Sequence, residues 1–304
     1  MIKTLCFFLL LNLALASCKK DETSNPDTSH YLIFKFKFDS TQQRLDAFGQ
    51  TSVMPAGNAG LNPSFNAMSA HYIELAPSSA TLFGKGAIIY RAEESLAGGA
   101  AAIDFSKSNK VGNGEVFFKM ALKDVPKGDY EWLRISLAYQ NYDVRYYVDT
   151  TISGIHITQF VPGTIASFIG FNTYITSFNV KTSSLSVNGN RKQGFWGFES
   201  TITIPGVGSY TNVDSGQSAG TTTVVNPINS TSPIPAGSCV VTGQIKPGKL
   251  TITGSETKDV VVEVSLSTNN SFEWKDDIAN GRWEPLKGEK IVDMGIRGMI
   301  PTIQ

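Results

Sequence analysis

Alternation of apolar and polar side chains dominates the chain and predicts β-strands along most of its length. Over residues 30–38, Leu32, Phe34 and Phe36 share one face, whereas Lys35 lies on the opposite face. A period of two is the signature of a half-buried strand. Similar alternation, or a run of β-branched and aromatic residues, predicts further strands at 88–91, 115–122, 152–161, 164–180, 193–204, 240–244, 249–253, 260–266 and 290–299.

The remaining patterns place turns between these strands. The aromatic stretch 129–148 is long enough for two strands, and Pro162-Gly163 is a turn signal between two more. No segment keeps the apolar spacing of an amphipathic helix, so short helical turns are predicted only near Ser40–Phe48 and Ser271–Ala279. Many short strands with regular turn signals predict an all-β fold, an antiparallel β-sandwich.

Residues 206–237 interrupt this pattern because Gly, Ser, Thr, Asn and Pro dominate them. They fit either a long surface loop or a linker between two domains. The piece after residue 237 would hold only a few strands, which is marginal for an independent core. We therefore expect one β-sandwich domain over residues 30–304, with the segment 206–237 as a long loop, although two domains remain open.

The N-terminus has the three parts of a secretory signal peptide over residues 1–17: a positive Lys3, an apolar core, and small residues before a cleavage point. The apolar run is too short for a permanent membrane span, which needs about 20 apolar residues. The closing segment Leu15–Cys18 resembles the lipobox of bacterial lipoproteins. That resemblance implies that Cys18 becomes the mature N-terminus, is acylated with palmitate among its chains, and anchors the protein to a lipid bilayer.

The residues after Cys18 form a polar, aperiodic tether over 18–29. Its charged start, Lys19–Glu22, resembles the surface-export tags of Bacteroidetes lipoproteins, which implies an outer-membrane anchor and exposure at the cell surface. A generic solvated linker, with the domain facing the periplasm, is the alternative.

Composition narrows the classes of partner. The chain of 304 residues has 26 basic and 26 acidic residues; loss of Lys3 with the signal peptide leaves a net charge of −1. Without a basic excess, nucleic acid is not an expected partner. Cys239 is the single cysteine left after Cys6 is removed and Cys18 is lipidated, so an intrachain disulfide and cysteine-based metal sites are excluded. The oligomeric state is left open.

A second resemblance rests on the turn Val125–Tyr130, which introduces the aromatic stretch, and on the later segment Gly194–Gly197. Both resemble features of the MbnP-like β-sandwich proteins of bacterial envelopes. The resemblance implies a sandwich and, in copper-binding members, a site built from His with an oxidised Trp. His30, His71 and His156 are all distant from any Trp in the sequence, so no copper ligand is assigned.

Catalytic motifs are absent from the sequence. There is no G-x-S-x-G and no H-E-x-x-H segment, and His71 and His156 flank apolar strand residues, as structural histidines do. We therefore expect no enzymatic activity and no required cofactor. The leading hypothesis is a membrane-anchored lipoprotein that presents a non-enzymatic β-sandwich binding or adhesion module at the cell envelope.

Candidate ligand-binding residues are aromatic side chains near polar ones: Tyr142, Tyr146, Trp274 and Trp283. Exposed rings of this kind suit a glycan or protein ligand. The alternative is a ladder of aromatic pairs that stabilises the sheet.

Two alternative functions use the acidic residues near Trp274. Asp276 and Asp277 could hold a calcium ion, although no complete calcium loop is present, and an MbnP-like protein could bind copper or calcium. A glycan-active enzyme could use Glu273 or Asp277, because such enzymes place two carboxylates beside stacking aromatics.

Overall fold

The computed structural model describes residues 29–218 and 234–304. The signal peptide, Cys18 and the tether up to residue 28 lie outside the described residues. Within the described part the chain forms twenty β-strands and no α-helix. The first ten are β1 (Tyr31–Asp39), β2 (Asn58–Leu61), β3 (Ser64–Ala76), β4 (Ala87–Arg91), β5 (Glu94–Ser95), β6 (Ala102–Asp104), β7 (Val116–Ala121), β8 (Gly128–Tyr130), β9 (Trp132–Ile152) and β10 (Ile155–Phe168). The others are β11 (Asn172–Asn179), β12 (Ser184–Lys192), β13 (Phe195–Ile204), β14 (Gly208–Gln217), β15 (Cys239–Gln244), β16 (Leu250–Ile252), β17 (Val260–Ser267), β18 (Phe272–Lys275), β19 (Ile291–Asp293) and β20 (Met299–Ile303).

Two packed sheets form an all-β sandwich. The larger has the order β14-β13-β10-β9-β3-β4, with β15 also paired to β9, and the smaller has the order β20-β17-β1-β7. The predicted alternation of the first strand is confirmed, because Leu32, Phe34 and Phe36 are fully buried in the core between the sheets. Most pairings are antiparallel, but β1 and β17 are parallel. Strands from both ends of the chain thus share the same sheets.

After Asp129 and Tyr130, which belong to β8, the aromatic stretch forms one long strand, β9, of 21 residues, and is not divided into the two strands for which its length left room. The strand contains a bulge at Ala138: Tyr139 pairs with Ser69 of β3 and Leu137 pairs with Ala70, which leaves Ala138 without a partner in β3. An extra residue reverses which alternate positions face the core. The core-facing residues are Leu133, Ile135 and Leu137 before the bulge, and Tyr142, Val144, Tyr146 and Val148 after it.

The turn predicted at Pro162-Gly163 was also wrong, since both residues lie inside β10. Pro162 pairs with Arg145 of β9, while the pairing of β10 with β13 begins only at Gly163. A proline is tolerated where one side of the strand has no ladder partner. The chain reverses instead at Ser153-Gly154, where both residues have positive φ angles.

The segment 206–237 is not a loop throughout. Its first part forms β14, an edge strand that pairs with all of β13. Exposed Thr, Ser and Asn side chains line this strand, so it lacks the apolar alternation that would have predicted it. Residues 219–233 lie outside the described part. The helical turn predicted at 271–279 was wrong as well, because Phe272–Lys275 is the strand β18, paired with β2 and β19.

Candidate functional site

A cavity of about 500 Å³ lies between one face of the large sheet and the C-terminal segment 283–294. Strands β10, β13 and β14 supply the sheet side, and β15 contributes Cys239. Its size lies within the roughly 300–1,000 Å³ typical of small-molecule sites. The sandwich thus leaves room for a ligand at one end of its core.

Strand alternation decides which side chains reach the cavity. Ile165, Ser167 and Ile169 of β10 line it, whereas Ala166 and Phe168 between them pack into a second apolar cluster on the other side of the sheet. Because side chains alternate along a strand, one set of β10 side chains faces the cavity and the other set faces the second apolar cluster.

Two glycines make room for the aromatic rings of β13 on the cavity wall. A Cβ at Gly216 would meet the Trp196 ring at 2.7 Å, and a Cβ at Gly163 would meet the Phe198 ring at 2.5 Å. Gly216 is the direct cross-strand partner of Trp196. Gly163 lies two residues from Ile165, which is the cross-strand partner of Phe198. Trp196 and Phe198 can therefore lie flat across the adjacent strands.

Trp283 closes the cavity opposite these rings. Its indole packs against the rings of Phe272 at 4.7 Å, Tyr146 at 5.8 Å and Phe198 at 6.4 Å between centroids, each with edge-to-face geometry. Such pairs contribute about 0.5–1.5 kcal/mol each beyond the area they bury. The indole is therefore fixed in place before any ligand arrives.

Four buried side chains on the cavity wall carry a polar atom that has no hydrogen-bond partner among the described residues. Each side chain belongs to a residue that is at least nine-tenths buried. The atoms are Ser167 Oγ, Gln193 Oε1, Trp283 Nε1 and Glu289 Oε1. Buried polar atoms are normally paired, and each unpaired one costs about 1–3 kcal/mol. Each of these atoms exposes less than 1 Å² of surface, so a ligand in the cavity reaches them only if their side chains rotate towards it.

Gln140 extends this polar region behind Ser167. The two residues are direct partners across β9 and β10, and Gln140 is fully buried with neither amide atom paired among the described residues. Its neighbour on the same face, Tyr142, likewise has an unpaired hydroxyl there. The polar atoms therefore continue from the cavity wall into the core.

A second cavity of about 420 Å³ shares Cys239, Val292 and Asp293 with the first. Its wall contains Glu273, which accepts hydrogen bonds from Arg44 and, at 3.1 Å, from Arg297 Nε. These residues form a nearly buried ion-pair network.

Glu273 stays ionised in this network. Burial alone would raise its pKa, but the hydrogen bond from Arg44 and the charges of both arginines outweigh it, so the pKa of Glu273 lies below its ordinary value. The arginines are further tied to backbone carbonyls, Arg44 to that of Asn270 at 2.6 Å. This ion-pair network therefore stabilises the wall of the second cavity, to which we assign a structural role.

The carboxyls on the wall of the first cavity behave differently. Burial raises the pKa of Asp293, although Arg297 Nη2 lies 3.1 Å from its Oδ2. Burial also raises the pKa of Glu289, against the lowering effect of the backbone N–H groups of Glu284 and Ile278. Burial, with Asp293 nearby, raises the pKa of the Cys239 thiol to about 12. The Cys239 thiol is therefore protonated. The negative charges of Asp293 and Glu289 are only partly offset by the hydrogen-bond donors and the cation near them.

The structure corrects the expected exposure of the four predicted ligand-binding aromatics. Tyr142, Tyr146 and Trp274 are buried core residues that do not line the first cavity, in line with the aromatic ladder that was the alternative. Trp283 is also buried but does line the cavity. Exposed rings were expected because alternation would place some of the closely spaced aromatic residues on the outer face, but Tyr142 and Tyr146 lie on the same, core-facing side of β9.

The predicted metal residues are otherwise engaged or isolated. Asp276 accepts hydrogen bonds from the backbone N–H groups of Asn280 and Gly281 and so shapes its own turn, while Asp277 is exposed. Over residues 29–218 and 234–304, no group of three or more His, Cys, Asp or Glu side chains could hold a metal ion.

The histidines have acidic partners, and among the described residues no hydroxyl or thiol is hydrogen-bonded to His71 or His156. His71 is fully buried with Nε2 at 2.9 Å from Glu94, and His156 contacts Asp149 at 2.9 Å on the surface. Burial lowers the pKa of His71. His71 thus serves as a neutral core residue that ties β3 to the segment of β5.

The sequence did not reveal Ser167, Gln193, Glu289 or Asp293 as site residues. Each belongs to a different stretch of strand or loop, and only folding brings them to one cavity. The one available signal was Trp196, which lies between Gly194 of the preceding turn and Gly197 of β13.

With this geometry described, the class of protein is an all-β sandwich with an apolar cavity at one end of its core. Comparisons with protein-family models, with curated proteins and with solved structures gave no match for the chain. The likenesses to surface lipoproteins and to MbnP-like proteins therefore remain predictions. In the part of the chain that the structure describes, no helix has the length and apolar character to cross a membrane.

Proposed function

We propose that this protein is a non-enzymatic binding module that holds a small, largely apolar molecule in the cavity between the large sheet and segment 283–294. The single observation that carries the proposal is the 500 Å³ cavity itself, whose wall combines aromatic rings with unpaired buried polar atoms. An apolar pocket with a few convergent polar groups is the usual form of a ligand site.

We also propose where in the cell the module is located. The N-terminal segment supports lipidation at Cys18 and an outer-membrane anchor with the sandwich facing outward, because Leu15–Cys18 resembles a lipobox and Lys19–Glu22 resembles a surface-export tag. The lipid bilayer is then the partner at the N-terminus, and the cavity binds the ligand.

Filling the cavity tests the binding site. Ser167→Leu adds an apolar side chain to the cavity wall and removes an unpaired hydroxyl, so folding is expected to persist. Binding of the neutral fluorescent probe N-phenylnaphthylamine should weaken by about tenfold or more, which corresponds to about 1.4 kcal/mol. The measurement is a fluorescence titration of purified protein.

The matched control is Thr201→Leu, which adds a similar side chain at an exposed position of the neighbouring strand β13. This variant should bind the probe as the wild type does. Equal binding by Ser167→Leu and wild type would place the probe elsewhere and overturn the proposal.

A further inference from the structure

The charged residues of the cavity wall are predominantly acidic. Asp214, Glu289 and Asp293 line the cavity, against the single base Lys290. The cavity therefore carries an excess of two negative charges when its carboxyls are ionised. An apolar site with this balance disfavours an anionic ligand, because a buried charge needs an opposite charge beside it.

The buried Glu289 and the partly exposed Asp293 are the carboxyls that a ligand could compensate. Glu289 is buried, and its Oε1 has no hydrogen-bond partner among the described residues. Asp293 lies at the wall common to both cavities, and its nearest cation, Arg297, is shared with Glu273. The surroundings of both carboxyls raise their pKa values. Negative charge at these two positions is therefore under-compensated by the protein.

The aromatic rings of the wall favour the same kind of ligand. Trp196, Phe198 and Trp283 present their rings at the cavity. The face of an indole attracts a cation within about 6 Å, with an energy that grows when water is excluded. Carboxylates and indole faces together are the surroundings in which a protonated amine is well bound.

We propose that the cavity selects organic cations: molecules with an apolar body of about the size of a fused aromatic pair and a protonated amine that pairs with Glu289 and Asp293. This inference rests on the proposed function and adds the chemical class of the ligand. The amine lies beside the acidic part of the wall formed by Glu289 and Asp293, and the apolar body lies against Ile165, Ile169 and Trp283.

The test uses three probes with one apolar body and different head groups: naphthylmethylamine, naphthylmethanol and naphthoic acid. Their dissociation constants for the purified chain are measured by calorimetry at neutral pH. The amine should bind about tenfold more tightly than the alcohol, and the acid more weakly than the alcohol. Added salt should reduce the preference for the amine, and the reduction should be partial because Glu289 is buried although Asp293 is partly exposed.

Variants connect the preference to the two carboxyls. Glu289→Gln and Asp293→Asn should each reduce the ratio between amine and alcohol several-fold, while the affinity for the alcohol changes little. The matched control is Glu93→Gln, an exposed acid paired with Lys107 away from the cavity. It should leave all three affinities unchanged.

The outcomes separate this inference from the proposed function. Equal binding of amine and alcohol, tightest binding of the acid, or an amine preference that survives both carboxyl variants overturns the inference while leaving the apolar site intact. Absence of binding by all three probes overturns the proposed function together with the inference.

Discussion

Glu199 of β13 is a buried carboxylate that holds a turn in place. Its Oε2 accepts the backbone N–H groups of Lys181 at 2.9 Å, Thr182 at 3.0 Å and Ser183 at 2.9 Å, and its Oε1 accepts the Thr182 hydroxyl. Burial alone would raise the pKa, but these hydrogen bonds outweigh it and lower the pKa of Glu199 to about 2. The turn between β11 and β12 thus depends on one ionised side chain.

Replacing this charge should destabilise the fold. Glu199→Gln keeps the shape but loses the charge-assisted hydrogen bonds, so the free energy of unfolding should fall by about 1–3 kcal/mol at neutral pH. Chemical denaturation measures this difference. The exposed substitution Glu93→Gln should cause little change.

The difference in unfolding free energy between Glu199→Gln and wild type should depend on pH. Because the folded-state pKa of Glu199 is about 2, below its ordinary value of 4.5, its stabilising effect is complete above pH 4.5 and is lost as pH falls towards 2. The difference between Glu199→Gln and wild type should therefore shrink over that range. A difference that stayed constant down to pH 2 would contradict the assignment.

At the scale of the element, strand β13 packs tightly on both of its faces. One face lines the cavity, and on the other Gly197 lies under the ring of Phe178 and the side chain of Val180. A Cβ at Gly197 would lie 2.7 Å from the Phe178 ring and 2.9 Å from Val180. The missing side chain therefore lets the second apolar cluster close against the sheet.

Adding a methyl group at this position tests the packing. Gly197→Ala should lower the free energy of unfolding by about 1–3 kcal/mol, because the buried neighbours must move. The matched control is Gly189→Ala in the edge strand β12, where a Cβ meets no atom closer than 3.7 Å and no positive φ opposes it. Thermal denaturation of both variants makes the comparison, and equal melting temperatures would contradict the packing argument.

In the whole molecule, the proposed lipid anchor at Cys18 and the proposed ligand cavity are separate parts of the chain. Cys18 lies outside the described residues, so its role is tested directly in cells. Cys18→Ala should abolish incorporation of a palmitate analogue and move the protein from the membrane fraction to the soluble fraction, since two or more acyl chains are needed for stable anchoring.

The control for the anchor is Cys239→Ala, which removes the other cysteine of the mature chain. This variant should remain lipidated and membrane-bound, because the half-buried thiol of Cys239 lies at the wall of the cavity. If Cys18→Ala still incorporated the analogue and stayed with the membranes, the lipoprotein assignment would be wrong.

Several local features of this protein follow from short stretches of its sequence. Alternation in β1 predicted both the strand and its buried face, because a side-chain period of two is a property of the strand alone. The same logic predicted β4, β7, β13, β15 and β17 within a few residues of their observed bounds.

Other features depend on contacts between strands, which the pattern of a single segment does not contain. The bulge at Ala138 depends on how β3 pairs with β9. The place of Pro162 within a strand depends on where the pairing of β10 with β13 stops, and β14 exists through its pairing with β13. The cavity joins Ser167 with Glu289, more than a hundred residues apart in the sequence. Pairing between distant strands sets these features, and the energy of such pairing depends on partners that a single segment does not specify.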